Sequence, residues 1–373
     1  MTEKRDLQAL RQELDELDAQ LFEAVASRGR IVEAIGRLKR DSGQAVFDRN
    51  REKAVAERHR MQGQAAGLTV EESHMISRVV LASSHRLQAE KVSKATLTRR
   101  FLLIGGRGGM GQMFARELED RGHVVDILDQ GERARLPLAV GASDIVMICV
   151  PMAVAVEVAA EVAPLMRPGA LLCDINSLKL EICETMGTGA SCEVLGLHPM
   201  FGPTVSSMLR QKVVVCEVYG GPLGRWLRDE LGRMGAELVE SDPLTHDRMM
   251  AVVQVLVHFN TLVTGEALRL FGADIAESLQ FTSPIYRLEL AFLGRLFAQN
   301  PRLYAEILMR NPLGDRVRSD FLSAAARVNE VVHHGDREAF ETLFNQAGES
   351  FAQFSTEAMR ISDDLISRLV SQA

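Results

Sequence analysis

The stretch Phe101-Leu-Leu-Ile-Gly-Gly-Arg-Gly-Gly-Met-Gly111 decides how the rest of this chain is read. Four apolar residues run into G-x-G-x-x-G, with Gly106, Gly108 and Gly111 at the glycine positions. A buried strand that turns into a helix through such glycines brings backbone N–H groups and a helix N-terminus onto a pyrophosphate. The triplet alone is weak, but its context is right. The next apolar run, Val124–Leu128, ends at Asp129, 23 residues beyond Gly106. An acidic residue there takes the adenosine ribose hydroxyls and repels a 2′-phosphate, which favours NAD over NADP. A third run, Ile145–Val150, leads into Pro151, and Val150 and Pro151 stand where such folds touch the cofactor.

Outside this stretch the composition sets broad bounds. The 373 residues suffice for two or three domains, and 46% hydrophobic with 25% charged residues is ordinary for a globular protein. A net charge of −7 argues against nucleic acid as a main partner. The charged start, Glu3 to Asp6, lacks the apolar core of a signal peptide, and no long uninterrupted apolar run occurs, so a cytoplasmic protein without a membrane span is expected. Cys149, Cys173, Cys183, Cys192 and Cys216 are odd in number and never form C-x-x-C, which predicts reduced thiols and no bound metal.

Residues 1–92 read as helix throughout. Leu7, Leu10, Leu14, Leu17 and Leu21 recur at helical spacing, and the pattern continues through Val25, Val32, Ile35 and Leu38. A helix that long does not fit a compact domain of this size unless a partner chain covers part of it. Gly43 ends it. A second helix is expected from Arg49 to Gln62, then a break at Gly63 and Gly67, then a third helix that Thr69 and Glu72 open as a capping box. Residues 91–99 form a polar linker. From Arg100 short apolar strands alternate with helices: Phe101–Ile104, Val124–Leu128, Ile145–Val150, Ala170–Asp174 and Val194–Leu197, with Val213–Cys216 and Glu237–Val239 as extensions. Such alternation implies parallel βαβ units in a doubly wound sheet. From Thr245 onward the strand patterns stop and apolar helices return (Met249–Phe271, Tyr286–Phe297, Phe321–Val332, Phe340–Phe354), a pattern suited to a dimer interface. The expected architecture is multidomain: an all-α domain over 1–92, an α/β Rossmann dinucleotide-binding domain over 99–198, and a substrate-binding, all-α dimerisation region over 199–373.

Two segments follow the fourth and fifth strands and so reach the carboxyl edge of the sheet, where ligands bind in this fold. Asp174-Ile-Asn-Ser-Leu-Lys179 carries Ser177 and Lys179, and Gly196-Leu-His-Pro-Met-Phe-Gly-Pro203 carries His198. A histidine at a strand end in a Gly/Pro-rich loop is well placed as a general base. Further on, Ser283-Pro-Ile-Tyr-Arg-Leu-Glu-Leu-Ala sets Arg287 eight residues before Arg295, slightly over two helical turns, so both can clamp carboxylates from one face.

D-x-x-S-x-K, G-L-H-P-M-F-G-P and S-P-I-Y-R-L-E-L-A with G-R-L-F-A-Q together resemble the prephenate dehydrogenases. With a helical domain in front, the chain resembles the bifunctional family in which chorismate mutase is fused to prephenate dehydrogenase in tyrosine biosynthesis. The resemblance implies that His198 accepts the proton of the substrate's ring hydroxyl while hydride leaves the same carbon for NAD. Carbon dioxide departs, and aromatisation makes the step effectively irreversible. Ser177 then holds His198 or the ring hydroxyl, Arg295 binds a substrate carboxylate, and Arg287 and Lys179 support it. His246 and His258 resemble histidines that meet substrate or the feedback inhibitor tyrosine, and Val257 stands where the resemblance places an arginine.

Rearranging chorismate to prephenate needs no nucleophile. It needs a dianion held compactly while charge develops on the breaking ether oxygen, hence preorganised cations and donors. Arg28 and Lys39 are eleven residues apart, close to three turns, and share a helix face about 16 Å apart. Arg11 lies roughly 42 Å from Lys39 along a straight helix and cannot serve the same site within one chain. The family resemblance resolves this by placing Arg11 in the partner's site of an intertwined homodimer. It also implies that Arg51 holds a carboxylate, Glu52 meets the substrate hydroxyl with Asp48 assisting, Gln88 joins Lys39 at the ether oxygen, and Ser84 contacts a carboxylate. A dehydrogenase of another small hydroxy acid, with the helices serving only dimerisation or regulation, is the alternative reading.

Overall fold

The computed structural model describes residues 7–41, 49–89, 97–205 and 207–371. Three helices open the chain: α1 (Leu7–Asp41), α2 (Arg49–Ala65) and α3 (Val70–Ala89). α1 is unbroken over 35 residues, and α3 packs against both α1 and α2. α2 runs past the expected stop at Gln62. Gly63 lies inside it, because a side chain there would fall on Ser73 of α3. Thr69 and Glu72 form the expected capping box: the Thr69 N–H donates to the Glu72 carboxylate at 2.7 Å and the Glu72 N–H to the Thr69 hydroxyl at 3.1 Å. Val32 is buried, whereas Leu7, Leu10, Leu14, Leu17 and Leu21 are exposed in the single chain. The expected stop at Gly43 and most of the linker lie outside the described residues.

Among the described residues the sheet has seven strands, β1 (Arg100–Ile104), β2 (Val124–Leu128), β3 (Ile145–Ile148), β4 (Leu171–Asp174), β5 (Glu193–Pro199), β6 (Lys212–Tyr219) and β7 (Glu237–Ser241), in the order β2-β1-β3-β4-β5-β6-β7. Between them come α4 (Gly109–Asp120), α5 (Leu136–Ala142), α6 (Met152–Val162), α7 (Leu180–Gly187) and α8 (Pro222–Arg233). β1 to β5 pair in parallel, as their continuous apolar runs predict. β6 is antiparallel to β5, because no helix intervenes to return the chain to the other end of the sheet. The sheet therefore crosses the boundary expected at 198/199 and reaches Ser241.

One face of the sheet buries Phe101, Leu103, Met147 and Leu195 together with Phe114 and Leu118 of α4 and Leu227 and Leu231 of α8. The alternate residues Leu102, Val146, Ile148 and Leu172 are buried too, so both faces are covered. Each such side chain contributes about 1.5–3 kcal/mol. Within this core α4 and α8 are tied by charge: Glu230 receives Arg121 Nε at 2.5 Å and lies 3.2 Å from His123 Nε2. Burial alone would raise the Glu230 carboxyl, but the hydrogen bonds from His123 and Arg121 and the arginine charge hold it down at about 2.

Contacts divide the chain into two compact units, Met1–Val150 with Ala160–Ile175 and Met186–Glu240, and Pro151–Ala159 with Asn176–Thr185 and Ser241–Ala373. After β7 the second unit is helical: α9 (Pro243–Met250), a π-helical turn over Ala251–Leu256, α10 (Val257–Phe271), α11 (Ile275–Ser278), α12 (Pro284–Phe297), α13 (Pro301–Arg310), α14 (Gly314–His334), α15 (Arg337–Glu349) and α16 (Ser355–Ser371). Asp242, Ser283 and Asn300 cap α9, α12 and α13, each followed by proline at the helix start. The expected helix over Phe340–Phe354 is shorter, since α15 ends at Glu349. The continuous helical stretch Pro243–Phe271 is long and apolar enough, by length and composition alone, to cross a membrane. It packs against α12, α13 and α14, and carries the buried pair His246 and Asp247, as a helix within a protein cluster does.

Candidate active sites

The glycine loop is built from backbone in close approach. Gly105 follows β1 with φ +83°, and a side chain there would meet the Val150 nitrogen at 2.8 Å, where the loops after β1 and β3 come together. The strand order reverses between these two strands, the point at which doubly wound sheets open a ligand crevice. A Cβ on Gly111 would lie 2.6 Å from the Gly106 Cα, and one on Gly106 2.9 Å from Ile127. Gly108 is the N-cap of α4 and has extended backbone. The result is a side-chain-free rim at a helix N-terminus, a surface that fits the pyrophosphate of NAD. Asp129 follows β2, and its carboxylate accepts the Arg107 N–H at 3.0 Å. The Arg107 guanidinium lies 3.6 Å from Asp129 and 2.7 Å from Glu132. Its hydrogen bond, with that of the Asp129 N–H, holds Glu132 at about 2. Arg107 and Glu132 were not picked out by the motif, although they set the orientation of the Asp129 rim. Val150 is half-buried and Pro151 exposed. Burial pushes the pKa of the neighbouring Cys149 thiol up.

His198 lies in β5 itself, opposite Val214 of β6, and is 3% exposed. The expectation had placed it in the loop after the strand. Pairing with β6 at the strand end holds its backbone more rigidly than a loop would.

In the second unit Lys179 is fully buried and Ser177 half-buried in the segment that leads into α7. His246 is 1% exposed, and its Nδ1 lies 2.7 Å from Asp247. Beyond the π-helical turn, His258 meets the Tyr304 ring edge-on at 4.9 Å between centroids. Burial lowers the His258 pKa and raises that of Tyr304, which the nearby Arg295 charge partly opposes. His258, Tyr304 and Arg295 therefore form one cluster. Arg287 and Arg295 are both exposed on α12. Tyr304 and Asp247 escaped sequence reasoning because neither belongs to a spaced motif.

Among the first three helices, Arg28 and Ser84 come together: the Arg28 guanidinium donates to the Ser84 hydroxyl at 2.5 Å and to the Val80 carbonyl at 3.3 Å. Burial lowers the Arg28 pKa. His59 joins the same bundle through Ser77 at 2.9 Å, its pKa lowered by burial and by the charges of Arg28 and Arg58. Arg11 and Arg51 are exposed, and half-buried Glu52 lies 3.7 Å from Arg210. Lys39 and Gln88 occupy α1 and α3, with side chains outside the described set, as is the whole of Asp48.

Comparison with known proteins matches three parts of the chain. Residues 10–89 match chorismate mutase type II, 116–217 the prephenate dehydrogenase nucleotide-binding domain, and 242–346 the prephenate dehydrogenase dimerization domain. The T-protein of Haemophilus influenzae is 30% identical over 96% of this chain and 96% of its own length. That of Enterobacter agglomerans is 31% identical over 93% of each. The prephenate dehydrogenase of A. aeolicus, solved with hydroxyphenyl propionate and NAD+, shares the fold, with a TM-score of 0.56 at 18% identity over 72% of this chain and 100% of that one. The chain belongs to the bifunctional T-protein family, with chorismate mutase and NAD-dependent prephenate dehydrogenase joined in one polypeptide.

Proposed function

We propose how the two activities of this enzyme of tyrosine biosynthesis are distributed over its residues. Chorismate becomes prephenate in a site of Arg28, Lys39, Asp48, Arg51, Glu52, Ser84 and Gln88, completed by Arg11 of the partner subunit. The cations neutralise the dianion, and Lys39 with Gln88 meets the ether oxygen as its charge grows. Prephenate is then oxidised and decarboxylated, with NAD, when bound, supplying the hydride acceptor. His198 takes the ring-hydroxyl proton. Ser177 orients that hydroxyl or the imidazole, and Arg295, Arg287 and Lys179 bind carboxylate. Gly106, Gly108, Gly111, Asp129, Val150 and Pro151 hold the cofactor.

The observation that carries this reading is α1. Its 35 residues are unbroken, Arg28 contacts Ser84 in one half, and the leucine stripe of the other half is exposed. A single chain thus leaves both the stripe and Arg11 without a site, and a cytoplasmic homodimer supplies one. Mixing Arg11→Ala chains with Lys39→Ala chains under subunit exchange tests it. Heterodimers regain one complete mutase site, restoring about one quarter of wild-type turnover; no recovery would show that each chain builds its own site.

Tyrosine is assigned to the His258 cluster as a feedback ligand, its carboxylate paired with Arg295. His258→Ala is expected to relieve inhibition in a tyrosine titration of NADH formation, and unchanged inhibition would place the ligand elsewhere.

A further inference from the structure

Asp247 belongs to none of the motifs above, yet it is among the most heavily engaged side chains of the second unit. It lies near the end of α9 and is 2% exposed. One carboxylate oxygen accepts the Lys179 N–H at 2.8 Å and stands 2.7 Å from His246 Nδ1. The other accepts the Leu180 N–H at 3.0 Å. Its own carbonyl accepts the Asn311 side-chain amide at 2.9 Å, which fixes α9 to the turn after α13.

A buried carboxylate is stable only with such donors around it. Two of the three are the first backbone N–H groups of α7, whose positive helix end also favours the charge. Asp247 therefore caps α7 from a distant part of the sequence. The capped turn is the one that carries Ser177 and Lys179. The third contact orders the imidazole. A carboxylate at Nδ1 accepts a proton from it, so His246 adopts the Nδ1–H form and its Nε2 becomes the acceptor.

We infer that Asp247 is a positioning residue for prephenate oxidation: it sets the Ser177–Lys179 turn and the His246 tautomer together. This rests on the reading above that Ser177, Lys179 and His246 serve the dehydrogenase substrate. A single carboxylate linking two groups of one site makes their geometry a joint property, in the way outer residues orient metal ligands.

The test compares Asp247→Asn with His246→Gln and Lys179→Met in the full-length enzyme, each assayed for prephenate oxidation, NAD affinity and chorismate turnover. The side-chain ¹⁵N spectrum of His246 is recorded in wild type and Asp247→Asn. The expected result is a fall in kcat/KM for prephenate of about 10- to 100-fold in Asp247→Asn, NAD affinity and chorismate turnover unchanged, and loss of the Nδ1–H signature. Asp247→Glu, which keeps the charge, is expected to recover part of the rate. If Asp247→Asn stays within twofold of wild type while His246→Gln or Lys179→Met is impaired, the positioning role is overturned and the site reading stands. If His246→Gln and Lys179→Met are both unimpaired, the site reading itself fails and takes this role with it. A fall in all three activities with a lower melting temperature reduces Asp247 to a structural tie and also overturns the inference. Should Asp247→Asn not fold, the wild-type spectrum decides: His246 protonated at Nε2 with a bare Nδ1 contradicts the assignment.

Discussion

Gly111 has no space for a side chain, since a Cβ would sit 2.6 Å from backbone of Gly106. The three nearest atoms, in Gly106 and Gly105, are all backbone, so none can rotate away. Gly111→Ala is expected to abolish NAD binding in a cofactor titration while chorismate turnover continues; unchanged NAD affinity would mean that the loop moves freely. His198→Asn removes the proposed base and keeps the strand. It is expected to cut prephenate oxidation by at least ~10²-fold with NAD affinity retained, and a rate near wild type would reassign the base. At this scale the sequence was informative where chemistry imposes spacing. The glycines, Asp129, His198, Arg28 and Ser84 were each picked out by motif or family pattern, whereas the contact between Arg28 and Ser84 was not. Asp247, Tyr304, His59 and Arg210 were not, because each reaches its partner across 18 residues or more, a distance that no local spacing encodes.

Helices and strands were legible where periodicity and end signals agreed. The Thr69–Glu72 box was readable because both halves of the signal lie within four residues. Thr69→Ala is expected to destabilise the N-terminal helices by about 1 kcal/mol, measured by thermal unfolding, and no change would make the cap incidental. Gly63 misled in the opposite direction: glycine suggests a break, but here it is retained for close approach to Ser73. The antiparallel direction of β6 was not legible, because apolar runs give no strand direction. The tie between α4 and α8 through Glu230 has a pH signature. Its folded pKa of about 2 lies below the ordinary glutamate value near 4.3 in an unfolded chain. The ionised carboxylate therefore contributes fully above about pH 4.3, and the contribution fades as pH falls toward 2. Glu230→Gln is expected to lose about 3–5 kcal/mol near neutral pH by removing the buried carboxylate charge that faces Arg121. The gap to wild type should narrow between pH 5 and 2 in denaturant melts, and a constant gap would contradict the assignment.

For the whole molecule, the order of parts was legible from residue 1 onward, because helical, alternating and again helical patterns follow one another without overlap. The boundary at residue 198 was not, since β6, α8 and β7 extend the sheet to Ser241 and no composition change marks the end of a sheet. Exposed apolar residues run along α1 and through the helices after Ser241, among them Leu14, Phe271, Phe281 and Phe344. Such surface marks an interface, and sedimentation is expected to give a dimer of about twice 41.2 kDa at assay concentrations, with a monomer alone contradicting the shared-site reading. The product of the first activity is the substrate of the second. The most direct measurement of that claim follows chorismate and NADH together in one purified sample, first without NAD and then with it. The account predicts chorismate loss without cofactor and NADH formation only after NAD is added. Chorismate left untouched, with NADH formed only when prephenate is supplied, would contradict the mutase half and leave the N-terminal helices without a catalytic role.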